Sequence, residues 1–259
     1  MPKSLVTLAV ALYIIALGIV AAPVSVLAAG DAVKPPNQNW SFKGLFGTYD
    51  RGALQRGFQV YNEVCSACHS VRLVAYRNLM DIGFTEEQVK KIAESKEVTD
   101  GPNDEGELFQ RPGMLSDRFV KPFPNDNAAR AANGGALPPD LSLMVKARKD
   151  GANYLHALLV GYQDPPKGEK LPDGMAWNPY YPGSQIAMPS PLSEDAVEYA
   201  DKTKATVAQM ASDVTTFLSW AAEPELEQRK RMGVKVLLFL IVLTGMLYAI
   251  KRKIWANVQ

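Results

Sequence analysis

Apolar residues recur at helical intervals along most of this chain, and the alternation typical of a half-buried strand is scarce. Gly57, Tyr61 and Cys65 lie four residues apart, which predicts a helix that runs up to residue 65. Beyond Ala205 a second run has the same spacing and ends before Pro224, because proline cannot continue a helix. Its apolar members are Val207, Met210, Ala211, Val214, Phe217, Leu218 and Ala221. The pattern predicts a mainly α fold.

Three shorter helices are predicted between these two runs. Thr85 and Gln88 form a capping-box pattern, which predicts a helix that ends at about Ser95. Leu141–Lys149 and Asn153–Val160 also have helical spacing. The connections between the helices are long and rich in proline and glycine. The sequence has no internal repeat, no phosphate-binding glycine motif and no Ser/His/Asp constellation.

An apolar segment near the C-terminus predicts a transmembrane helix. Gly233–Ile250 is apolar except for Lys235 and Thr244, and basic triplets flank it at Arg229–Arg231 and Lys251–Lys253. At ~1.5 Å per residue, roughly eighteen to twenty residues cover the ~30 Å hydrocarbon core. The alternative is a buried core helix, but basic residues on both flanks favour a membrane span.

The first 29 residues resemble an export signal. Lys3 precedes the apolar run Leu5–Ala22, Pro23 follows it, and small residues end the segment near Ala28. We expect cleavage between Ala28 and Gly30, with an uncleaved anchor as the alternative. Because positive charge flanks both sides of the C-terminal span, the export signal decides the orientation: the soluble domain lies outside and the tail in the cytoplasm.

The predicted organisation is a signal peptide over residues 1–29, a soluble domain over 30–228 and a membrane anchor over 229–259.

From Asp31 to Glu227 the chain has 27 acidic residues and 20 basic ones, so this part has a net charge of −7, although the net charge of the whole chain is +1. The acidic residues concentrate in two groups, namely Glu94, Glu97, Asp100, Asp104, Glu105 and Glu107, and Glu194, Asp195, Glu198 and Asp201. They predict either solvated surfaces or a docking field for a basic partner. Nothing indicates nucleic-acid binding.

The most specific motif is Cys65-Ser66-Ala67-Cys68-His69, which contains the chain's only two cysteines. Cys-X-X-Cys-His is the spacing at which two thiols attach one haem covalently and the histidine ligates its iron. A zinc site would need about four ligands, and His156 is the only other histidine. A thioredoxin-like dithiol usually opens a helix after a strand, whereas this motif follows a helical segment. The motif therefore favours one haem c over a redox dithiol.

The sequence identifies the second axial ligand of the iron less clearly than the first. The candidates are His156, Met80, Met114, Met144, Met175, Met188 and Met210. Met80, Met144 and Met210 occupy helical surroundings typical of packing residues, while Met114 and Met175 lie in loops and stay open. Met188 is preferred, because the prolines that follow it keep its loop stiff and extended.

Several ordered segments resemble the cytochrome c1 family, in its alphaproteobacterial form. They are Arg56–Tyr61, Val74–Arg77, Asp100–Asn103, Arg111–Gly113, Ala128–Asn133, Gly135–Leu141, Asn178–Tyr180 and Trp220–Glu225. Members of this family are the haem subunit of the quinol:cytochrome c reductase, or cytochrome bc1, complex. The resemblance implies a class I cytochrome c-like haem domain, enlarged by long loop insertions and followed by one C-terminal transmembrane helix.

The resemblance also implies a set of site residues. Cys65 and Cys68 would bind the haem, and His69 and Met188 would be its axial ligands. Arg148 and Tyr154 match positions near the haem propionates, and the pocket loop corresponds to Asn133, Pro138 and Pro139.

By the same resemblance, the chain would relay single electrons from the Rieske iron-sulfur protein to cytochrome c, with no catalytic side chains of its own. Cytochrome b and the Rieske protein would be its partners in a bacterial inner membrane, with the haem domain in the periplasm. Two rivals remain open: an independent membrane-anchored cytochrome c that feeds an oxidase, and an exported thiol oxidoreductase without haem.

Overall fold

A computed structural model describes residues 32–257, so the predicted export signal lies outside the described residues. The described elements, in chain order, are α1 (Arg51–Glu63), a 3-10 turn (Cys65–Ala67), a 3-10 helix (Tyr76–Ile82), α2 (Glu86–Glu94), β1 (Glu97–Asp100), β2 (Phe109–Pro112), α3 (Asp126–Ala132), α4 (Met144–Ala147), α5 (Gly151–Val160), β3 (Ala176–Trp177), β4 (Gln185–Ile186), α6 (Val207–Ala222) and α7 (Leu226–Trp255). The mainly α prediction is confirmed.

Helices α1 and α6 pack against each other and form the centre of the domain. Both begin with a side-chain cap: Asp50 accepts a hydrogen bond from the Ala53 amide, and Thr206 accepts one from Gln209. Gly57 allows the two helices to approach closely, because a Cβ atom at this position would collide with the Asp213 carbonyl. The close contact fixes the end of α1, and the cysteine motif begins directly after it.

The buried face of α1 meets a group of aromatic side chains. The Phe58 and Tyr61 rings lie 5.7 Å and 5.6 Å from the Phe217 ring of α6, measured between centroids. Phe119 adds a further stacked ring, 5.9 Å from Tyr61. Burial of such rings stabilises the fold by about 1.5–3 kcal/mol each. The core therefore supports the segment that ends in Cys65.

Most of the predicted helices are present. α2 begins at the predicted Thr85 capping box, and α5 and α6 match the predicted runs within two residues at each end. The helix predicted over Leu141–Lys149 is wrong in extent, because only the single turn α4 forms there. The Leu141 amide donates to the Ser70 carbonyl and the Ser142 hydroxyl accepts from the Leu73 amide, so tertiary contacts hold the chain that precedes α4.

Two short antiparallel hairpins were not predicted. β1 pairs with β2 in the register Glu97 with Pro112, and β3 pairs with β4. Every residue from Gly101 to Gln110, which includes the connection between β1 and β2, is exposed. The four strands are only two to four residues long, which is too short for a period-two pattern to be recognised in the sequence.

Helix α7 is 30 residues long and contains the predicted membrane span. It is apolar and long enough to cross a membrane, and none of its most apolar 18-residue window is buried. Its first turns are fixed to the domain. Glu227 accepts hydrogen bonds from the Tyr49 amide and the Arg51 guanidinium, and the Lys230 ammonium donates to the carbonyls of Phe42 and Gly47.

Candidate functional site

The cysteine motif forms a compact turn at the end of α1. The amides of Cys68 and His69 both donate to the Cys65 carbonyl, at 3.1 Å and 2.9 Å. Ser66 donates from its hydroxyl to the Asn62 carbonyl at 2.7 Å, which ties the turn back to the helix. Cys65, Cys68 and His69 are all partly buried, and the two cysteines are free thiols. The turn therefore presents two unbonded sulfurs beside one imidazole.

The surroundings of these thiols disfavour the two alternative chemistries. Burial, followed by the neighbouring Cys68, raises the pKa of the Cys65 thiol to about 12. A redox dithiol needs a thiol whose pKa is lowered, so that the thiolate is available to attack. Among residues 32–257, no group of three or more His, Cys, Asp and Glu side chains could hold a metal ion, which leaves a zinc site without its ligands.

The imidazole of His69 has a defined tautomer. Its Nδ1 atom lies 2.8 Å from the Pro139 carbonyl oxygen, and a carbonyl only accepts, so Nδ1 carries the proton. The lone pair is then on Nε2, the atom that would ligate a metal. Burial lowers the pKa of His69, against the opposing effects of Pro139 and Asp140, and so favours the neutral imidazole. The geometry fits an axial haem ligand.

Asp140 holds the Pro139 carbonyl in place, and the sequence analysis did not single it out. One carboxylate oxygen accepts from the Ser70 hydroxyl at 2.6 Å and from the Arg72 amide at 3.0 Å, while the other accepts from the Ser142 amide at 3.0 Å. Burial alone would raise the pKa of Asp140, but these hydrogen bonds together hold it below its usual value. The carboxylate therefore joins the pocket loop to the chain that follows His69. An aspartate next to a Pro-Pro pair carries no sequence signal for this role.

Met188 is partly buried in the loop that follows β4. Its carbonyl accepts a hydrogen bond of 3.1 Å from the Tyr162 hydroxyl. Burial, and then the charge of Tyr154, raise the pKa of Tyr162, so this phenol stays a donor. Tyr162 follows α5 by two residues, and the sequence analysis missed it too. The Met188 loop is therefore attached to the end of α5, the helix that carries Tyr154.

The other candidate axial ligands occupy less suitable places. Met210 is fully buried in the core and Met144 packs against it, whereas Met80, Met114 and Met175 are exposed on the surface. The ring of His156 packs edge-on against Trp40, 5.9 Å between centroids. His156 also lies two residues from Tyr154, about 200° around the helix, and so on a different face of α5. Met188 remains the preferred thioether.

The other residues predicted to line the haem pocket lie in two groups. Arg148 is exposed beside Tyr154, whose pKa is raised by burial and lowered in part by this guanidinium. Asn133 ends α3 with its side-chain amide donating to the Ala129 carbonyl, and a turn leads from it towards Pro138. The structure thus joins Arg148, Tyr154, Tyr162 and Met188 by neighbouring contacts. A second set of contacts joins the cysteine turn, His69, Pro139 and Asp140.

Comparison with known proteins shows what the chain as a whole is similar to. The model of the Cytochrome C1 family matches residues 40–258. "Cytochrome c1 2, heme protein, mitochondrial" of Arabidopsis thaliana is 56% identical over 200 residues, covering 77% of this chain and 65% of that protein, just under two thirds of its length. "Cytochrome c1" of Rhodospirillum rubrum is 51% identical over 238 residues, covering 86% and 88% of the two chains. "Cytochrome b/c1" of Bradyrhizobium diazoefficiens is 48% identical over 246 residues, covering 86% of this chain and 36% of that protein.

The matched residues begin before α1 and extend past the end of α7. They include the cysteine motif, the loop with Pro138 and Pro139, and the loop with Met188. On this coverage and identity, the chain belongs to the cytochrome c1 family.

Proposed function

We propose that this chain is the membrane-anchored c-type cytochrome subunit of a quinol:cytochrome c reductase, in which it relays single electrons from the Rieske iron-sulfur protein to cytochrome c. Family membership supports this role, and so does the orientation of His69. Its Nδ1 atom faces the Pro139 carbonyl, which leaves Nε2 free to ligate iron.

The cofactor is one haem c, which supplies a one-electron redox couple when bound. Cys65 and Cys68 would hold this haem through two thioether bonds, and His69 and Met188 would ligate its iron. The segment with Asn133, Pro138 and Pro139 lines the pocket. Arg148 and Tyr154 neutralise or hydrogen-bond the propionates. No side chain of the chain makes or breaks a substrate bond, so the oxidoreductase activity belongs to the assembled complex.

The connection between β1 and β2 supplies the acidic surface that we propose docks cytochrome c. Arg111 forms ion pairs with Asp117 at 2.6 Å and with Asp100, so Asp100 is already neutralised. The exposed acidic residues left at the tip are Asp104, Glu105 and Glu107. The Asn103 side chain accepts from the amides of Glu105 and Glu107, which orders the tip. Three uncommitted carboxylates on an ordered turn suit steering of a basic partner.

The second acidic group is less available. Asp201 is paired with Arg56 at 2.7 Å, and Glu194 accepts a hydrogen bond from the Val207 amide at the start of α6. Two of its four carboxylates are therefore already held, whereas the three at the β1–β2 tip form no ion pair among residues 32–257, so we assign the docking surface to the tip.

We also propose a membrane arrangement, which is supported by the export signal predicted at residues 1–29 and by the apolar helix α7. Residues 1–29 act as a signal peptide for export, residues 30–228 form the haem domain in the periplasm, and residues 229–259 anchor it and end in a short cytoplasmic tail. Cytochrome b is the proposed neighbour of α7 in the membrane. The relative named "Cytochrome b/c1", which contains a matching segment in one longer chain, supports that pairing.

The experiment is a reduced-minus-oxidised visible spectrum of a detergent-solubilised membrane fraction, repeated after purification through a tag on this chain. We expect a c-type α band that copurifies with b-type haem and with the iron-sulfur signal. A c-type band that purifies alone would contradict the complex and favour an independent carrier. A colourless protein would overturn haem attachment at Cys65 and Cys68.

A further inference from the structure

A cavity of about 480 Å³ lies where α7 leaves the domain. Six charged side chains line it, three basic and three acidic: Arg51, Arg231, Lys235, Asp81, Glu225 and Glu227. Its volume lies in the range of about 300–1,000 Å³ that is typical of small-molecule sites. This cavity is remote from the cysteine motif, because α1 separates its first residue, Arg51, from Cys65.

The cavity crosses the boundary between water and lipid. Glu225 directly precedes α7, whereas Lys235 already lies two residues inside the apolar segment Gly233–Ile250. Ten residues of helix correspond to about 15 Å along its axis. The headgroup layer on one side of a bilayer is only about 5–8 Å thick, so the cavity wall passes through it.

Some of these charges are already paired within the protein. Glu227 accepts from Arg51 at 2.9 Å and from the Tyr49 amide at 2.8 Å, and it lies 3.4 Å from Arg231. The others are uncommitted: within residues 32–257, no ion pair is formed by Lys235, Asp81 or Glu225. Arg231 keeps 74% of its side chain exposed, so it too is available to a ligand.

The uncommitted charges are ordered along the membrane normal. In a membrane-spanning α7, Lys235 lies on the lipid side of Arg231 and Glu225, and we expect its long side chain to lean towards the water, as a lysine near a helix end does. Asp81 belongs to the domain and Glu225 to the start of α7, so both carboxylates stand on the aqueous side of Lys235. From lipid to water the order is cation, then anion.

We propose that this cavity binds the headgroup of one phospholipid that carries a primary amine, of the phosphatidylethanolamine class. In such a lipid the phosphate lies next to the acyl chains and the ammonium lies farther out, which complements the order of charges in the cavity. Lys235 and Arg231 bind the phosphate, and Asp81 and Glu225 accept hydrogen bonds from the ammonium. A glycerol headgroup has no cation for the carboxylates, and a choline headgroup has no N–H to donate.

The test uses the full haem-loaded chain in detergent, stripped of lipid and titrated with dioleoyl phosphatidylethanolamine, phosphatidylcholine or phosphatidylglycerol. Native mass spectrometry counts the lipids retained. We expect one phosphatidylethanolamine held more tightly than either other lipid. Lys235→Gln and Asp81→Asn should each weaken it about fivefold, equivalent to about 1 kcal/mol. Lys251→Gln, an exposed lysine at the other end of α7, is the matched control and should change nothing.

Three outcomes would overturn the proposal. The three lipids could bind equally, Lys251→Gln could lower retention as much as Lys235→Gln, or phosphatidylglycerol could bind best with no effect of Asp81→Asn. The last result would mean that Lys235 attracts any anionic headgroup and that the carboxylates do not bind the lipid. The haem spectrum of each variant checks its folding, and it also separates this test from the proposed electron transfer, since the cavity does not involve the cysteine motif.

Discussion

Replacement of Asp140 by asparagine tests how the pocket loop positions His69. The carboxylate accepts three hydrogen bonds, from Ser70 and Arg72 on one oxygen and from Ser142 on the other. An amide has one oxygen, so in either orientation its NH2 group faces a backbone N–H and at least one bond is lost. Loss of a partner for a buried polar group costs about 1–3 kcal/mol. The Asp140 side chain is 24% exposed, which places the expected loss at about 1–2 kcal/mol.

The assay is thermal unfolding of the haem-loaded chain at pH 7, followed by circular dichroism. A loss of this size lowers Tm by about 2–8 °C for a domain of this length. Asp173→Asn is the matched control, because Asp173 is exposed and forms no ion pair within the described part of the chain. We expect no change of Tm for the control.

The same variant should also change the haem. Loosening of the loop weakens the hydrogen bond from His69 Nδ1 to Pro139, which makes the imidazole a weaker donor to ferric iron and raises the reduction potential. The stability difference from the native chain should also shrink with acid. The folded pKa of Asp140 lies below its ordinary value of 3.8, so its contribution is complete above that pH and is lost as the pH falls through the folded pKa. An unchanged Tm, or an unchanged potential despite a lower Tm, would refute the positioning role.

Three further predictions concern other parts of the molecule. Met188→His should leave the haem attached but lower its potential, and Met188→Leu should allow carbon monoxide to bind; an unchanged potential in a redox titration would assign the ligand elsewhere. Joint neutralisation of Asp104, Glu105 and Glu107 should slow electron transfer to cytochrome c, measured by stopped flow, at low salt and have less effect at high salt. If the variant and the native chain transfer electrons at equal rates at low salt, the β1–β2 tip does not dock cytochrome c. Gly57→Ala should destabilise the domain by about 1–3 kcal/mol in denaturant unfolding, because its methyl group separates α1 from α6, and a stability equal to the native chain would contradict that close approach.

Local sequence patterns correctly predicted several of the helices. The capping box at Thr85, the helical run beyond Ala205 and the apolar segment Gly233–Ile250 each produced the predicted helix, because every signal involves residues within a few turns of one another. The helix predicted over Leu141–Lys149 failed for the opposite reason. The Leu141 amide and the Ser142 hydroxyl bond to the chain around residue 70, so this segment is held by contacts distant in sequence and only Met144–Ala147 is helical.

By itself, the sequence determined the chemistry that the chain carries: two thiols and an imidazole at haem spacing, a membrane helix, and acidic segments. Only the tertiary structure decided how these parts are held. The Pro139 carbonyl that orients His69 lies 70 residues away along the chain, and the Tyr162 hydroxyl that supports Met188 lies 26 residues away. Contacts of this kind depend on the closing of long loops by a packed core, and no local pattern encodes which carbonyl will meet which side chain. For the same reason, only the structure separated the paired carboxylates of Asp100 and Asp201 from the free ones at the tip of the hairpin.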